Sequence, residues 1–305
     1  MSAPRREPRR DVDGVLLLDK PQGRSSNSAL QHARRLFNAA KAGHTGTLDP
    51  MATGLLPICF GEATKFSSEL LDADKRYLAT VALGVSTDSG DADGRVISER
   101  PISCNANDIE SVGREFLGEI EQVPPMFSAL KRDGKPLYEY ARAGIELERP
   151  ARTVCIHDLT IISVSGSSFE MSIHCGKGTY IRSLAIDMGE RLGCGAHLSD
   201  LRRTAIGRFD LENAVTLAAL EEMSLSALDT LLCPVDHLVA GLPAVTLNCQ
   251  DAARMANGQR LPADYGMQVE GYVRIFGADR GFMGVGRYLG GVIHPTRLVS
   301  SKSGG

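Results

Sequence analysis

An α+β domain followed by a smaller β-rich domain is what the sequence predicts, and three observations predict it. Stretches with helical spacing interleave with short apolar or alternating runs from about residue 12 to residue 240, as expected for helices packed on a sheet. Val154 to Val164 and Phe169 to His174 alternate in polarity like two paired strands. From Gly241 the texture changes to short β-like runs separated by glycines, as in a small barrel. The expected units are a disordered basic arm over 1–11, a large domain over 12–240, a small one over 241–299 and a disordered tail over 300–305.

At 305 residues the chain is long enough for a substantial core and two domains. Hydrophobic residues at 43% and charged residues at 23% exclude wholesale disorder. No run approaches the roughly 18 to 20 apolar residues of a membrane span. Met1 to Arg10 holds four arginines and two prolines but no apolar stretch, so it is not read as a secretory signal. Seven cysteines without a Cys-x-x-Cys pair fit a reducing compartment, here the cytoplasm. His174-Cys175 is the only adjacent pair of ligand types, and without clustered ligands no metal is expected. The net charge of -3 hides basic ends and an acidic middle, so a basic face at each end could track a phosphate backbone.

Gly14 to Asp19 is a short apolar run read as a buried strand, ended by the turn residues Lys20-Pro21-Gln22-Gly23. Ser25 or Ser26 caps a helix with Leu30, Ala33, Leu36 and Phe37 on one face. Next comes Gly43 to Gly54, where Gly43, Gly46 and Gly54 permit left-handed backbone and Pro50 stiffens the chain. It carries His44, Thr45, Thr47 and Asp49, and reads equally as a catalytic loop or as a turn whose Asp caps the next element. Leu55 to Phe60 is a second strand, Glu62 to Leu71 has helical spacing, and Lys75-Arg76-Tyr77 introduces a strand reaching Val85. Thr87 to Gly94 is rich in Asp and Gly. As a calcium loop it would put Ser89 first and Arg100 last, so a hairpin-like turn fits better.

Asn107 to Phe116 is an amphipathic helix, and Pro124-Pro125 interrupts the chain beyond it. Ser128 to Gly144 interleaves Lys131, Arg132, Lys135 and Arg142 with Tyr138 and Tyr140, which suits loop RNA as well as a plain exposed arm. Gly176-Lys177-Gly178 makes a bend, and Tyr180 and Arg182 stand two apart where a helix begins. His197 to Thr204 reads as a strand with a basic exit, and Leu211 to Leu232 as one acidic helix. In the small domain, Gln250 to Asn257 is helical and the strands centre on 269–276, 281–288 and 291–294.

Asp49, Tyr77, Tyr180 and Arg182 come from three segments, each beside an expected strand. If a sheet gathers them, a guanidinium aims and ionises one carboxylate, and a phenol beside it stacks on a base. A glycosidase would normally need a second carboxylate. The serine-hydrolase elbow and the zinc-deaminase signature are also missing. Chemistry without a cofactor is left, but elimination does not identify it.

Several motifs together resemble the TruB-type tRNA pseudouridine synthases, which act on uridine 55 of the T-loop. They are Leu18-Asp-Lys-Pro-Gln-Gly23, His44-Thr-Gly-Thr-Leu-Asp-Pro-Met-Ala-Thr-Gly54, Lys75-Arg-Tyr77, Thr87-Asp-Ser-Gly-Asp91, Pro124-Pro-Met-Phe-Ser-Ala-Leu-Lys131, Gly178-Thr-Tyr-Ile-Arg182 and Ala196-His-Leu-Ser-Asp-Leu-Arg-Arg-Thr204. The resemblance spans roughly residues 12 to 210. It implies the pseudouridine synthase fold, a mixed, mainly antiparallel sheet flanked by helices, and a PUA-like RNA-binding barrel at the C-terminus. It also implies an RNA-gripping arm over about 124–150.

The resemblance assigns roles. Asp49 is the essential carboxylate, Arg182 pairs with it, and Tyr180 lies near C5 of the base. Tyr77 stacks on the uracil, His44 fills the space of the flipped nucleotide, and Leu201 lines the pocket. Lys20 belongs to a lysine-proline motif near the site, and Lys20, Lys131 and Arg202 are expected substrate contacts. The expected partner is the tRNA T-arm. No cofactor, membrane or obligate protein partner is expected, and the chain should act as a monomer. Competing readings are an RNA-binding or tRNA-folding protein without catalysis, a guide-RNA-directed synthase, and a nucleobase hydrolase.

Overall fold

The computed structural model of the chain describes residues 8–262 and 270–300. Gly14–Lys20 (β1) is apolar throughout because both its faces are buried: Leu16 and Leu18 enter one core, Val15 and Leu17 another. Ser25 accepts a hydrogen bond from the Ser28 amide and caps Ser26–Leu36 (α1), which buries Ala29, Leu30 and Ala33. Ala42–His44 (β2) and Thr53–Phe60 (β3) bracket the glycine-punctuated loop. The expected helix over 62–71 is a 3₁₀ segment, Gly61–Phe66, followed by Ser68–Asp72 (α2).

Lys75–Leu83 (β4) leads into a hairpin of Val85–Thr87 (β5) and Val96–Glu99 (β6). Asn105 and Asp108 form a capping box on Ala106–Glu115 (α3). Gly118–Gln122 (β7) precedes the arm, where Lys131–Arg132 (β8) and Lys135–Pro136 (β9) pair and Leu137–Arg142 (α4) follows. Arg152–Ser165 (β10) and Ser168–Cys175 (β11) form the expected antiparallel pair. Ile181–Arg191 (α5), Ala196–Ile206 (β12), Phe209–Asp210 (β13) and Val215–Thr216 (β14) complete the layer.

The strand order is β14-β1-β3-β12-β4-β11-β10-β7, with β2 added to β3 and β13 to β12. Pairings are antiparallel except β1 with β14 and a short parallel contact of β12 with β3, Arg202 beside Thr53 and Arg203 beside Gly54. That contact places the loop before β3 against the middle of β12. The expected single helix over 211–232 is absent. Thr216 and Ser224 instead accept from the amides of Ala219 and Ala227, starting two short helices, Leu217–Glu221 (α6) and Leu225–Asp229 (α7).

Beyond residue 243, Ala244–Thr246 (β15), Cys249–Ala256 (α8), Leu261–Pro262 (β16), Gly271–Phe276 (β17), Phe282–Leu289 (β18) and Val292–Leu298 (β19) surround a core of Met255, Val273, Ile275 and Ile293. The order is β15-β17-β18-β19-β16, a curled sheet whose edge strands do not pair with each other among the described residues. It is a curled half-barrel, consistent with the small PUA-like barrel expected. It packs on the large unit through Phe66 and Phe282, with ring centroids 5.5 Å apart, and through Lys65 Nζ donating to the Leu298 carbonyl.

Of the arm expected over 1–11, residues 1–7 lie outside the described residues, as do 301–305 of the expected tail. Residues 8–11 are described and make contacts with the turn after α1 and with α7. Arg10 forms a β-bridge to Ala39 and its guanidinium meets Asp229 at 2.5 Å, while Arg9 donates to the Ala39 carbonyl. The turn after α1, with Asn38 at φ +46°, presents the carbonyls that hold them. Ser300 is likewise tied, its amide to Glu62.

Candidate active site

The loop around Asp49 is held from several sides. Ser26, buried in the first turn of α1, accepts from the Leu48 amide at 2.8 Å and donates to the Leu48 carbonyl at 2.9 Å. Leu48, Met51 and Ala52 are buried. Lys20, fully buried, donates to the carbonyls of Pro21, Arg24 and Pro50. Gly54 (φ +99°) could not be replaced, since a Cβ there would stand 2.3 Å from the Arg203 carbonyl oxygen of β12. Gly46 is also left-handed, but Gly43 is not, because it lies in β2. The loop forms part of the wall of a cleft of about 1090 Å³, shared with the Ser89–Arg95 turn, the root of the arm and Arg182.

The Arg182 guanidinium organises the floor of that cleft. Its side chain is 3% exposed, and Nη2 meets Asp49 Oδ2 at 2.9 Å. Nη1 donates to the Ser89 carbonyl at 2.9 Å and Nη2 to the Phe127 carbonyl at 2.6 Å. Nε faces Asp91 Oδ2 at 3.5 Å. Arg182 is the second residue of α5, where the helix dipole disfavours a cation, and the two carboxylates offset this. Asp91 is buried and locked by Ser89 Oγ at 2.5 Å, whereas the Asp49 side chain is 35% exposed. Only Asp49 is therefore open to a ligand. Burial pushes its carboxyl above the usual range, Arg182 opposes the rise and the charge of Asp91 adds to it.

Beneath the loop stands a second buried guanidinium, Arg203. It is 1% exposed and donates to the carbonyls of Leu55 at 2.7 Å and Gly46 at 3.0 Å. Tyr77, its neighbour across β12 and β4, lies within reach of its charge. Among the described residues no carboxylate pairs with it. Tyr77 is buried, and burial raises its phenol while Arg203 opposes the rise. Burial and the Arg203 charge hold His44 below the usual imidazole range, so it is neutral at pH 7. Burial likewise brings the Lys20 ammonium down to about 8, against the pull of Asp49.

Tyr180 is the N-cap residue of α5, and its position is set by Gln122. The Gln122 side chain, 2% exposed, accepts from the Tyr180 amide at 2.7 Å and donates to the Tyr180 carbonyl at 3.1 Å. Burial raises the Tyr180 phenol, while Ser128 and Arg182 beside it pull it down. Leu201 is buried on β12, opposite Ala79 of β4.

Asp49, Arg182 and His44 line the cleft, while the buried Tyr77 and half-buried Tyr180 lie within the field of Asp49 without lining it. The other expected substrate contacts stand further from Asp49 or are held by the protein itself. Lys20 Nζ donates to three carbonyls and so supports the loop from below. Arg202 is engaged with Asp19 at 2.7 Å. Lys131 lies on the exposed arm and does not line the cleft.

Sequence reasoning missed Asp91, Gln122 and Arg203. Period-2 alternation along β12 would have placed Arg203 inward with Leu201 and Ala205, as all three are buried. Asp91 lay in a tract that composition reads as a turn. Nothing local in the sequence marked Gln122.

Comparison with known proteins follows the same lines. Residues 34–181 match the family described as TruB family pseudouridylate synthase (N terminal domain), 182–240 match the tRNA pseudouridylate synthase B C-terminal domain, and 243–299 match Pseudouridine synthase II TruB, C-terminal. A tRNA pseudouridine synthase B from Azoarcus sp. (strain BH72) is 60% identical over 302 residues, covering 98% of this chain and 99% of the relative. Among solved structures, a chain of a Cbf5-Nop10-Gar1 complex is 28% identical with a TM-score of 0.69, covering 90% of this chain and 78% of that one. A chain of an H/ACA RNP bound to a substrate RNA containing 2'-deoxyuridine is 25% identical with a TM-score of 0.71, covering 95% and 86%.

Proposed function

The chain belongs to the TruB family of pseudouridine synthases, and from that membership we propose that it converts uridine 55 in the T-loop of tRNA to pseudouridine. The observation that carries this reading is the Asp49 carboxylate, open to the cleft and paired with the buried Arg182 at 2.9 Å. One accessible, aimed anion suits chemistry at a ribose carbon.

The target nucleotide leaves the stack at a cost of a few kcal/mol, offset by contacts to the T-loop. Neutral His44 on the cleft wall fills the vacated space. Tyr77 stacks on the uracil. Asp49 acts first, by attack at C1′ or by taking the C2′ proton, and both roles require it ionised. The N1–C1′ bond breaks, the uracil turns in place, and C5 bonds to C1′ as the Asp49–C1′ bond breaks or, on the other route, as the proton returns to C2′. The C5 proton then leaves with help from Tyr180, and N1 gains a proton. The catalytic unit is residues 12–240, with the arm near 124–150 and the PUA-like unit over 241–299 gripping RNA. The enzyme works as a cytoplasmic monomer without cofactor or protein partner.

The test is tritium release from C5-labelled uridine in tRNA and in an isolated T-arm, using the purified chain alone. Release from both, mapping to position 55, is expected. Asp49→Asn should abolish release yet leave tRNA binding nearly intact. Product from that variant would remove Asp49 from the mechanism. Binding without release by the wild type would favour a tRNA-folding protein, and activity only with added guide RNA and proteins would favour the guided branch.

A further inference from the structure

Asp74, His157 and His174 are distant in sequence and meet at the surface, away from the cleft. His174 lies on β11 opposite Arg76, His157 sits on β10 at the irregularity between Ile156 and Asp158, and Asp74 immediately precedes β4. Their side chains are 31%, 37% and 49% exposed, respectively 174, 157 and 74. One ligand atom from each lies within 4.8 Å of the others. His157 Nε2 and His174 Nε2 converge on the same oxygen, Asp74 Oδ2, at 3.4 and 3.8 Å. The two rings stand 4.8 Å apart, tilted by 50°.

These separations are longer than the roughly 2.7–3.2 Å of an N–H···O hydrogen bond. The shorter of them approaches the edge of a coordination tetrahedron, and the other ligand atoms, all within 4.8 Å of one another, would have to draw in around an ion. Ligands about 2.0–2.1 Å from a zinc ion stand about 3.3 Å from one another. Two imidazole nitrogens and a carboxylate oxygen are also the donor set of an open three-ligand zinc site. Cys155 Sγ lies 3.6 Å from Nδ1 of His157, an outer partner that occupies that nitrogen and leaves Nε2 for the ion. The adjacent thiol Cys175 points into the core, because successive residues of β11 face opposite sides.

We propose that Asp74, His157 and His174 form a surface site for a divalent transition ion, with zinc as its occupant. Bound there, the ion ties the start of β4, three residues before Tyr77, to the β10–β11 pair that leads to Tyr180. It supplies no reacting group. Its effect is to fix the strand ends that carry the two phenols. Imidazole donors select zinc and its neighbours over magnesium and calcium, which take oxygen.

The test is calorimetric titration of metal-stripped, full-length protein with zinc chloride. One equivalent should bind, resist excess magnesium and raise the melting temperature. The double variant His157→Gln, His174→Gln should weaken binding by at least about 100-fold, the upper end of what losing a mere supporting partner costs. Asp74→Asn should weaken it too. No binding by the wild type, or binding that survives the double variant, overturns the proposal. Independently of any variant, copper-loaded wild type should give an electron paramagnetic resonance spectrum of two nitrogen donors, and a signal without nitrogen coupling also overturns it.

Discussion

Arg182 and Arg203 are both buried guanidinium groups beside the Asp49 loop, yet their partners differ in kind. Arg182 faces two carboxylates, one open to the cleft and one sealed behind it. Arg203 faces carbonyls and a phenol. The first arrangement is electrostatic: it holds an anion where a substrate can reach it. The second is geometric, because a planar fork of donors fixes the loop and β3 at once. Its unneutralised charge also acts on its surroundings, lowering His44 and opposing the burial shift of Tyr77. The site is thus built from one cation that aims chemistry and one that sets shape.

Arg182→Ala gives the largest effect expected from either cation. It leaves Asp49 without its aim and sets two carboxylates against each other at the floor of the cleft. A fall in kcat of about 10²–10³-fold is expected, the usual cost of removing one oriented electrostatic partner. Tritium release under single-turnover conditions measures it. Wild-type turnover in that variant would erase the distinction between the two arginines.

Arg203→Met should act first on stability. It removes the Arg203 donors to the Gly46 and Leu55 carbonyls. Relief from burying a lone cation returns part of the loss, so a net cost of about 2–3 kcal/mol is expected. Denaturant unfolding reads this cost. Arg203→Lys keeps the charge but not the fork, and should recover less than half of it. Full recovery by Lys would show that charge, not geometry, is what Arg203 supplies.

The contrast also explains what could be read from the chain alone. Asp49 and Arg182 sit in motifs whose glycines and helix start mark them as unusual. The strand pairs alternate visibly, and the change near Gly241 separates the curled sheet from the rest. Arg203 was hidden because a charged residue inside a strand looks like a solvated one until its neighbours are known to be buried. Asp91 was hidden for a related reason. Its tract, Thr87 to Gly94, is a turn, and nothing in a turn's composition says that its apex folds back onto a helix 91 residues later. The split of 211–232 into two short helices follows from Thr216 and Ser224, hydroxyl residues that start helices as readily as they interrupt one.

Asp91→Asn gives the smallest effect and the finest test of the electrostatic half of the comparison. The Asp91 charge raises the pKa of Asp49, while Arg182 lowers it. Neutralising Asp91 removes the repulsion and leaves the Arg182 charge less shared, and both changes favour an ionised Asp49. Activity that needs the carboxylate is lost as pH falls through its pKa, which burial has raised above the ordinary range. The acid limb of the pH profile of kcat/KM should therefore move to lower pH in Asp91→Asn. Turnover at neutral pH should fall only a few-fold, since Arg182 keeps its bonds to Asp49, Ser89 and Phe127. A limb that stays put would mean that Asp91 only shapes the Ser89 turn. A limb that moves to higher pH would mean that Asp91 holds Arg182 against Asp49, so that losing it loosens the pair more than it relieves the repulsion.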